Sequence, residues 1–247
     1  MKYMFPETVR GFWPARIETR EQVVERSARC ARRIAEILPL QTPFGMWRGE
    51  EQSPSFSVVD FGTPQGRAEF LATCLKESDR GPAGEYFHVG LYSQTTDLPN
   101  RSVSISGWAG CTKALPGHNY NNMGVDWGGD GDRPLPCEVV ARLIEAVADT
   151  WHPDFCECFS LDWEPIRKMH RLTWNAAVPR IGWMVYLAER ELKASDVPSA
   201  HLVRPCGPRG SLVIVREEPI RMMHKQDFAL AERVRNELGL PLPYFID

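Results

Sequence analysis

The sequence predicts an α+β fold in which a mostly antiparallel sheet of about six strands packs with about four helices. Short runs of alternating apolar and polar residues recur along the chain, and other segments carry apolar residues at helical spacing. The links between successive strands are short, which favours antiparallel neighbours. In each half of the chain, three predicted strands are followed by a helix, which suggests a pseudo-repeat of two βββα halves. We expect residues 1–247 to form a single domain.

The N-terminal third predicts two helices. Thr19 and Gln22 form a capping-box pattern, and a stripe of apolar and small residues follows until Pro39. A second helix is predicted over Pro64 to Lys76, with Thr63 as its N-cap. The polar side of the first helix carries Arg26, Arg29, Arg32 and Arg33 interleaved with Glu21, Glu25 and Glu36. This mixture favours a solvated, ion-paired helix face over a nucleic-acid site.

The next elements are strands, followed by a third helix. Alternation of apolar with polar or small residues predicts strands at Phe56–Val59, Phe87–Tyr92, Ser102–Ser106 and Met123–Trp127. The run from Ser102 to Ser106 places serines on one face and Val103 and Ile105 on the other, which is typical of a half-buried antiparallel strand. A helix is predicted over Pro136 to Trp151.

The second half predicts three further strands and a closing helix. The strands are Phe155–Leu161, Trp183–Leu187 and Leu212–Val215. The last two runs are apolar on both faces, so we expect them in the interior of the sheet. The closing helix spans Asp227 to Leu238, and Gly239 follows as a stop signal.

Several of these segments together resemble the immunity-protein-52 family. The matching features are a Gly-Trp-x-x-Tyr-Leu strand at Gly182, a Gly-x-Leu-Val-Ile-Val strand at Gly210 and an Ala-x-x-Val-x-x-x-Leu helix at Ala231. The N-terminal amphipathic helix, the Val-Gly-Leu-Tyr strand at Val89 and the Trp-His-Pro-Asp helix end at Trp151 extend the resemblance upstream. It implies a non-catalytic bacterial antitoxin. Its partner would be a cognate nuclease toxin of the restriction-endonuclease-like class, encoded by an adjacent gene and delivered by a type VI or similar system.

Composition limits the classes of function. The net charge of −3 provides no basic field for direct nucleic-acid binding, and it suits a basic protein partner. No stretch approaches the length of about 20 apolar residues that spans a membrane, and no signal-peptide pattern occurs at the N-terminus, so we expect a cytoplasmic protein. The seven cysteines cannot all pair within the chain. Cys156 and Cys158 are expected to be buried strand residues rather than zinc ligands with His152.

The sequence contains no motif of an enzyme active site. The loop from Gly128 to Asp132 lacks the spacing of a calcium or nucleotide site, and the six histidines are dispersed. Asp162 and Glu164 could share a strand face, which is ordinary for exposed charge at a strand end. We therefore expect no catalytic residue, no metal and no cofactor. A small cytoplasmic enzyme whose site is assembled from distant residues stays open as the alternative.

Two acidic and aromatic clusters are the candidate toxin-binding residues. Interfaces concentrate binding energy in aromatic and charged side chains, and both clusters join tryptophan to carboxylates. Each tryptophan taken singly is more typical of a core residue. Besides an antitoxin and a small enzyme, a third hypothesis is that the protein is an adaptor in a secretion assembly, which predicts several partners of moderate affinity. The candidate residues are Asp126, Trp127, Asp130 and Asp132 in the first cluster, and Asp162, Trp163 and Glu164 in the second.

Overall fold

The computed structural model describes residues 8–48, 55–74, 80–81, 84–94, 102–111, 121–127, 134–159, 172–174, 178–207, 210–221, 223–242 and 244–246. The chain divides into two compact units. Unit 1 combines Met1–Trp13 with Asp130–Asp247, and unit 2 is Pro14–Gly129. Unit 1 is therefore discontinuous in sequence, because unit 2 is inserted after its first strand.

The described elements are strands and four α-helices, with one short 3₁₀ turn at Ala194–Asp196. In chain order they are β1 (Thr8–Trp13), α1 (Arg20–Ile37), β2 (Gly45–Arg48), β3 (Ser55–Val58), α2 (Pro64–Cys74), β4 (Arg80–Gly81), β5 (Gly84–Glu85), β6 (Phe87–Gln94), β7 (Ser102–Ala109), β8 (Asn121–Trp127), α3 (Cys137–Trp151), β9 (Phe155–Cys158), β10 (Leu172–Trp174), β11 (Met184–Leu187), β12 (Leu202–Cys206), β13 (Gly210–Ile214), α4 (Lys225–Glu237) and β14 (Tyr244–Ile246).

Unit 2 is an antiparallel sheet with helices on one face. Its strand order is β8-β7-β6-β2-β3, and α1 and α2 both contact β6. Buried residues alternate with half-buried or exposed residues along β6 and β7, which confirms the half-buried pattern predicted for Ser102–Ser106 of β7. One face of the sheet therefore contributes to the core, and the other carries the polar and glycine positions.

The first helix begins as its sequence predicts. The Thr19 hydroxyl accepts a hydrogen bond from the Gln22 amide at 3.3 Å, and the Gln22 side chain accepts one from the Thr19 amide at 2.8 Å. These two bonds satisfy amides that the helix itself leaves without partners. Val23, Cys30 and Ile34 are fully buried, so the apolar stripe of α1 faces the core of unit 2.

Unit 1 contains a second antiparallel run of five strands, in the order β12-β13-β11-β9-β1. β13 and β11 lie inside this run, which confirms the prediction from their two apolar faces. α3 packs on β1, β9 and β11. Gly11 makes this contact close, because an added Cβ would lie 3.0 Å from Val147 Cγ1 and 3.1 Å from Cys156 Sγ. The Trp13 and Trp151 rings stack beside it with centroids 5.7 Å apart.

The four helices are confirmed, but the strand count of about six is wrong. Ten strands form the two runs within the described residues, and β4–β5 and β10–β14 form two small pairs. Among the described strands, five rather than the predicted three lie between α3 and α4, because β10 and β12 were not predicted. β12 contains Pro205, and β10 has only three residues, so neither has the uninterrupted alternation that identifies a strand.

Candidate functional site

The residues predicted to bind a partner fall in two groups. Asp126 and Trp127 end β8 and are described. Asp130, Asp132, Asp162, Trp163 and Glu164 lie outside the described residues. The candidate site can therefore be located only from Asp126 and Trp127, at the end of β8.

Trp127 belongs to the core of unit 2. Its side chain is 2% exposed, and it faces Val103 across the β7–β8 pair. Met123 and Val125 on the same strand face are fully buried as well. The indole therefore supports the sheet from inside, where partner contact would require rearrangement.

Asp126 lies on the opposite face of β8, beside two serines of β7. Its Oδ2 accepts a hydrogen bond from the Ser106 hydroxyl at 3.0 Å, and the Ser104 hydroxyl lies 3.5 Å away. The register places Ser104 directly opposite Asp126. Hydrogen bonds from hydroxyl donors hold a carboxylate in one orientation. Asp126 is half-buried, so part of its surface remains accessible.

The residues around Asp126 form a surface that we call the serine–glycine face. Its positions alternate with the core residues of β6, β7 and β8, and the strand register brings them side by side. Small residues occupy the middle row, while larger polar and aromatic residues occupy the rows on either side. The face consists of His88, Gly90, Tyr92, Ser104, Ser106, Trp108, Asn122, Gly124 and Asp126.

An aromatic cluster lies at one end of the serine–glycine face. The Trp108 ring centroid is 4.4 Å from that of His88 and 5.6 Å from that of Tyr86. All three side chains are partly exposed. Tryptophan and tyrosine provide large contact areas with polar tips, and they are enriched at interfaces for that reason. Sequence reasoning missed this cluster, although the alternation of Trp108 with Gly107 and Ala109 is the signal that could have found it.

A buried carboxylate organises the loop that follows β7. Glu18 Oε1 accepts hydrogen bonds from Arg16 and Arg26, and Oε2 accepts one from the Gly110 amide at 2.9 Å. The Glu18 side chain is 1% exposed. Burial lowers the pKa of the Arg26 guanidinium, the positive charge of Arg16 adds to this, and Glu18 opposes it. The role of Glu18 was not predicted, because a single Glu before a helix carries no distinctive pattern.

Asn121 completes this arrangement at the start of β8. Its Oδ1 accepts from the Cys111 amide at 2.8 Å, and its Nδ2 donates to the Pro14 and Cys111 carbonyls at 3.0 and 3.2 Å. Gly110 has a positive φ of 83°, which a residue with a Cβ rarely adopts. Together these contacts fix the end of β7, on which Trp108 lies.

Unit 1 contains a second buried carboxylate. Glu157 is fully buried, and its Oε1 accepts from the Arg180 Nε at 2.9 Å and from Nη2. Its Oε2 accepts from the Arg180 amide at 2.7 Å. The Arg180 guanidinium carbon lies 3.4 Å above the centre of the Phe159 ring. Both carboxylate oxygens of Glu157 accept from Arg180, so this pair anchors the chain near β9 rather than presenting a reactive group.

Five of the seven cysteines are buried, whereas Cys111 and Cys137 are half-buried. Burial raises the pKa of Cys74 and of Cys206 to about 12, and it raises the pKa of Cys158 further. Cys156 and Cys158 are both fully buried on β9, which confirms the prediction of buried strand cysteines. No group of three or more His, Cys, Asp or Glu residues is arranged to hold a metal in the described part of the chain.

One open cavity lies between α1 and the segment from β3 to α2. It encloses about 300 Å³, and its floor is made of alanines from α1 with Phe44, Val59 and Phe61. Glu25 and Arg32 lie at its rim, 3.7 Å apart and largely exposed. The lining lacks the convergent buried polar groups that orient a small ligand.

Across the described helices, none is long and apolar enough to cross a membrane.

Comparison with known proteins identifies a family and a fold. The family model for immunity protein 52 matches residues 8–240. No curated protein matches the chain. Among solved structures, the Pseudomonas aeruginosa T6SS protein PA0821 matches with a TM-score of 0.52 and 13% sequence identity. That match covers 95% of this chain and 72% of the Pseudomonas chain, and at this identity it shows a shared fold alone.

Proposed function

Because this chain belongs to the immunity protein 52 family, we propose that it is a non-catalytic antitoxin that binds and neutralises one cognate nuclease toxin. The toxin would be a restriction-endonuclease-like nuclease encoded by an adjacent gene. Producing and sister cells would be protected in the cytoplasm, where an incoming nuclease meets nucleic acid. The solved Pseudomonas aeruginosa protein of similar fold is described as a type VI secretion protein, which supports delivery of the toxin by such a system.

The chemistry of a nuclease determines what an inhibitor must present. A nuclease needs a basic cleft for the phosphate backbone, and metal-dependent members place acidic ligands around the metal. An acidic and aromatic protein surface laid over or beside that cleft excludes the substrate. The net charge of −3 of this chain is compatible with a basic partner.

We assign the toxin contact to the serine–glycine face and its aromatic cluster. The observation that carries this proposal is the partly exposed Trp108, packed against His88 and Tyr86 on a strand face that α1 and α2 do not cover. Asp126 supplies an oriented carboxylate on the same face. Trp127 supports this face from the core, and Asp130, Asp132, Asp162, Trp163 and Glu164 stay candidate contacts.

The first experiment is co-expression with the product of the adjacent gene. We expect that product to kill cells when expressed alone and to co-purify with this chain as an inactive, stoichiometric complex. A harmless neighbour, or a neighbour that never binds, would show that the toxin assignment is wrong. If the neighbour is toxic and binds, sequencing the nucleic acid cut by the free toxin would test whether the toxin is a nuclease.

Substitutions then test the proposed contact face. Trp108→Ala should weaken toxin binding by about 2 kcal/mol or more, which is roughly thirtyfold in the dissociation constant. Asp126→Asn should slow association and reduce its dependence on salt, since it removes charge without changing shape. Arg29→Ala on the exposed side of α1 is the matched control and should change affinity by less than about 0.5 kcal/mol. Equal effects of Trp108→Ala and Arg29→Ala would assign the contact to another face.

A further inference from the structure

The segment that precedes α1 exposes its apolar residues and buries its acidic one. Residues 14–18 form a segment that we call the Ile17 loop, in which the Ile17 side chain is 81% exposed. Among the other large apolar side chains of the described residues, the most exposed reaches only 50%. Pro14 and Ala15 are exposed as well, whereas Glu18 is buried. This reverses the usual distribution, in which carboxylates face water and isoleucine is among the most buried residue types.

Buried ion pairs and a backbone hydrogen bond hold the Ile17 loop in this arrangement. The Glu18 side chain is 1% exposed and accepts hydrogen bonds from the Arg16 and Arg26 guanidinium groups. The Arg16 amide donates to the Cys111 carbonyl at 3.1 Å. Ile17 therefore lies between two anchored residues, and it could turn inward only by breaking a buried charge pair, which is strongly unfavourable. The exposure of Ile17 is thus a rigid feature of the fold.

The Ile17 loop adjoins the end of β7 that carries the aromatic cluster. Glu18 Oε2 accepts from the Gly110 amide at 2.9 Å, and the Cys111 carbonyl is the acceptor for the Arg16 amide. Gly110 and Cys111 directly follow β7, on which Trp108 is the last residue but one. The loop and the aromatic cluster are therefore neighbouring parts of unit 2.

The small size of the exposed ridge limits what can cover it. The three exposed side chains of Pro14, Ala15 and Ile17 amount to far less than the roughly 800 Å² that each partner buries in a standard interface. The ridge therefore cannot sustain a stable dimer of this chain by itself, and it can only be one part of a larger contact. The neighbouring aromatic cluster, where we place the toxin, supplies the rest of such a contact.

We propose that Ile17 is an apolar anchor of the toxin complex, and that its side chain enters an apolar pocket on the toxin beside the Trp108 contact. This inference rests on the proposed antitoxin function and adds to it the chemistry of one partner site. The pocket would be uncharged, because the charges of the loop are already paired within the chain. Because the loop is ordered before the toxin arrives, little conformational entropy is lost on binding, and burial of the isoleucine contributes to affinity.

Binding kinetics with the purified product of the adjacent gene test this anchor. Ile17→Ala should weaken the complex about tenfold or more, mainly through faster dissociation, and Ile17→Asp should weaken it further. Ile17→Val keeps most of the apolar volume and should stay within about fivefold of wild type. Leu202→Ala is the matched control, because Leu202 on β12 is 41% exposed, and this variant should stay within about twofold.

Two further measurements separate an anchor from a structural or electrostatic role. The loss of affinity in Ile17→Ala should be the same at low and high salt, because the substitution removes no charge. Its melting temperature should not fall, because the Ile17 side chain is mostly in solvent in the free chain. A salt-dependent loss, or a variant that unfolds more easily than wild type, would contradict the anchor.

The outcomes distinguish this proposal from the antitoxin function itself. If the toxin binds wild type and both Ile17→Ala and Ile17→Asp stay within about threefold, the anchor is overturned while the antitoxin function stands. If the product of the adjacent gene does not bind wild type, both proposals fail together. Sedimentation of the free chain tests the other occupant: a dimer that Ile17→Ala abolishes would assign the ridge to self-association and overturn the toxin pocket.

Discussion

Removal of the buried Glu157 carboxylate should strongly destabilise unit 1. The Glu157 side chain is fully buried, and the Arg180 side chain is 15% exposed. Glu157→Ala leaves the guanidinium largely buried beside Phe159 without its counter-charge, and it also leaves the Arg180 amide without the Oε2 acceptor. Breaking one side of a buried ion pair costs about 3–5 kcal/mol, because the remaining charge stays desolvated.

Other substitutions in the Glu157–Arg180 pair should cost less stability than Glu157→Ala. Glu157→Gln keeps the shape and one acceptor, so its cost should be about 1.5–3 kcal/mol. The double variant E157L/R180M replaces both charges with apolar groups of similar size and should recover most of the loss. Glu25→Ala is the matched control, because Glu25 also pairs with an arginine but is 59% exposed. Its cost should be under about 0.5 kcal/mol.

Chemical denaturation monitored by circular dichroism measures these differences, and thermal unfolding checks them. A loss of 3–5 kcal/mol corresponds to a fall in melting temperature of about 6–20 °C for a chain of this size. A Glu157→Ala variant within about 1 kcal/mol of wild type would refute the reasoning. So would additive losses in the double variant, since additivity would mean that the two charges do not stabilise each other.

Three further predictions concern glycine sites, thiols and unfolding. Gly107→Ala should impair folding, because its Cβ would lie 2.1 Å from the Asn122 carbonyl oxygen. Gly90→Ala should be tolerated, because the atom nearest to its Cβ would lie 3.5 Å away. Soluble yield and melting temperature compare the two variants, and equal stability would contradict this packing. A thiol reagent at neutral pH should modify the half-exposed Cys111 and spare the buried Cys206, whose raised pKa keeps it protonated; equal rates in the folded protein would contradict this. We propose that residues 1–247 unfold as one domain, with equal calorimetric and van't Hoff enthalpies, and two resolved transitions would show that the two units are independent domains.

Local patterns predicted the elements that are strongly periodic. The Thr19 capping box, the alternation of β7 and the apolar run of β13 each depend on residues close in sequence, and each prediction is confirmed. β12 was missed because Pro205 interrupts its pattern, whereas β1 was missed because its identity as a strand depends on a distant partner. β1 pairs with β9, about 145 residues later, and Gly11 interrupts its pattern to admit α3. The sequence contains no local record of either requirement.

The candidate site shows the same division. The sequence predicted that acidic and aromatic residues near the end of β8 form a surface, and the register then separated them: Asp126 lies on the serine–glycine face and Trp127 in the core. A strand sends successive side chains to opposite faces, but only the packing of α1 and α2 determines which face is covered. The packing of Trp108 on His88 and the hydrogen bond from the Gly110 amide to Glu18 likewise depend on segments that only the folded chain brings together.

The sequence by itself determined the α+β class, the four helices and the family, because helix periodicity, strand alternation and short motifs are properties of neighbouring residues. Tertiary structure alone decided the number and order of strands, the face on which each strand residue lies, and the pairing of Glu157 with Arg180. These depend on free energies of burial and pairing between residues far apart in the chain, and local sequence patterns do not encode such partners.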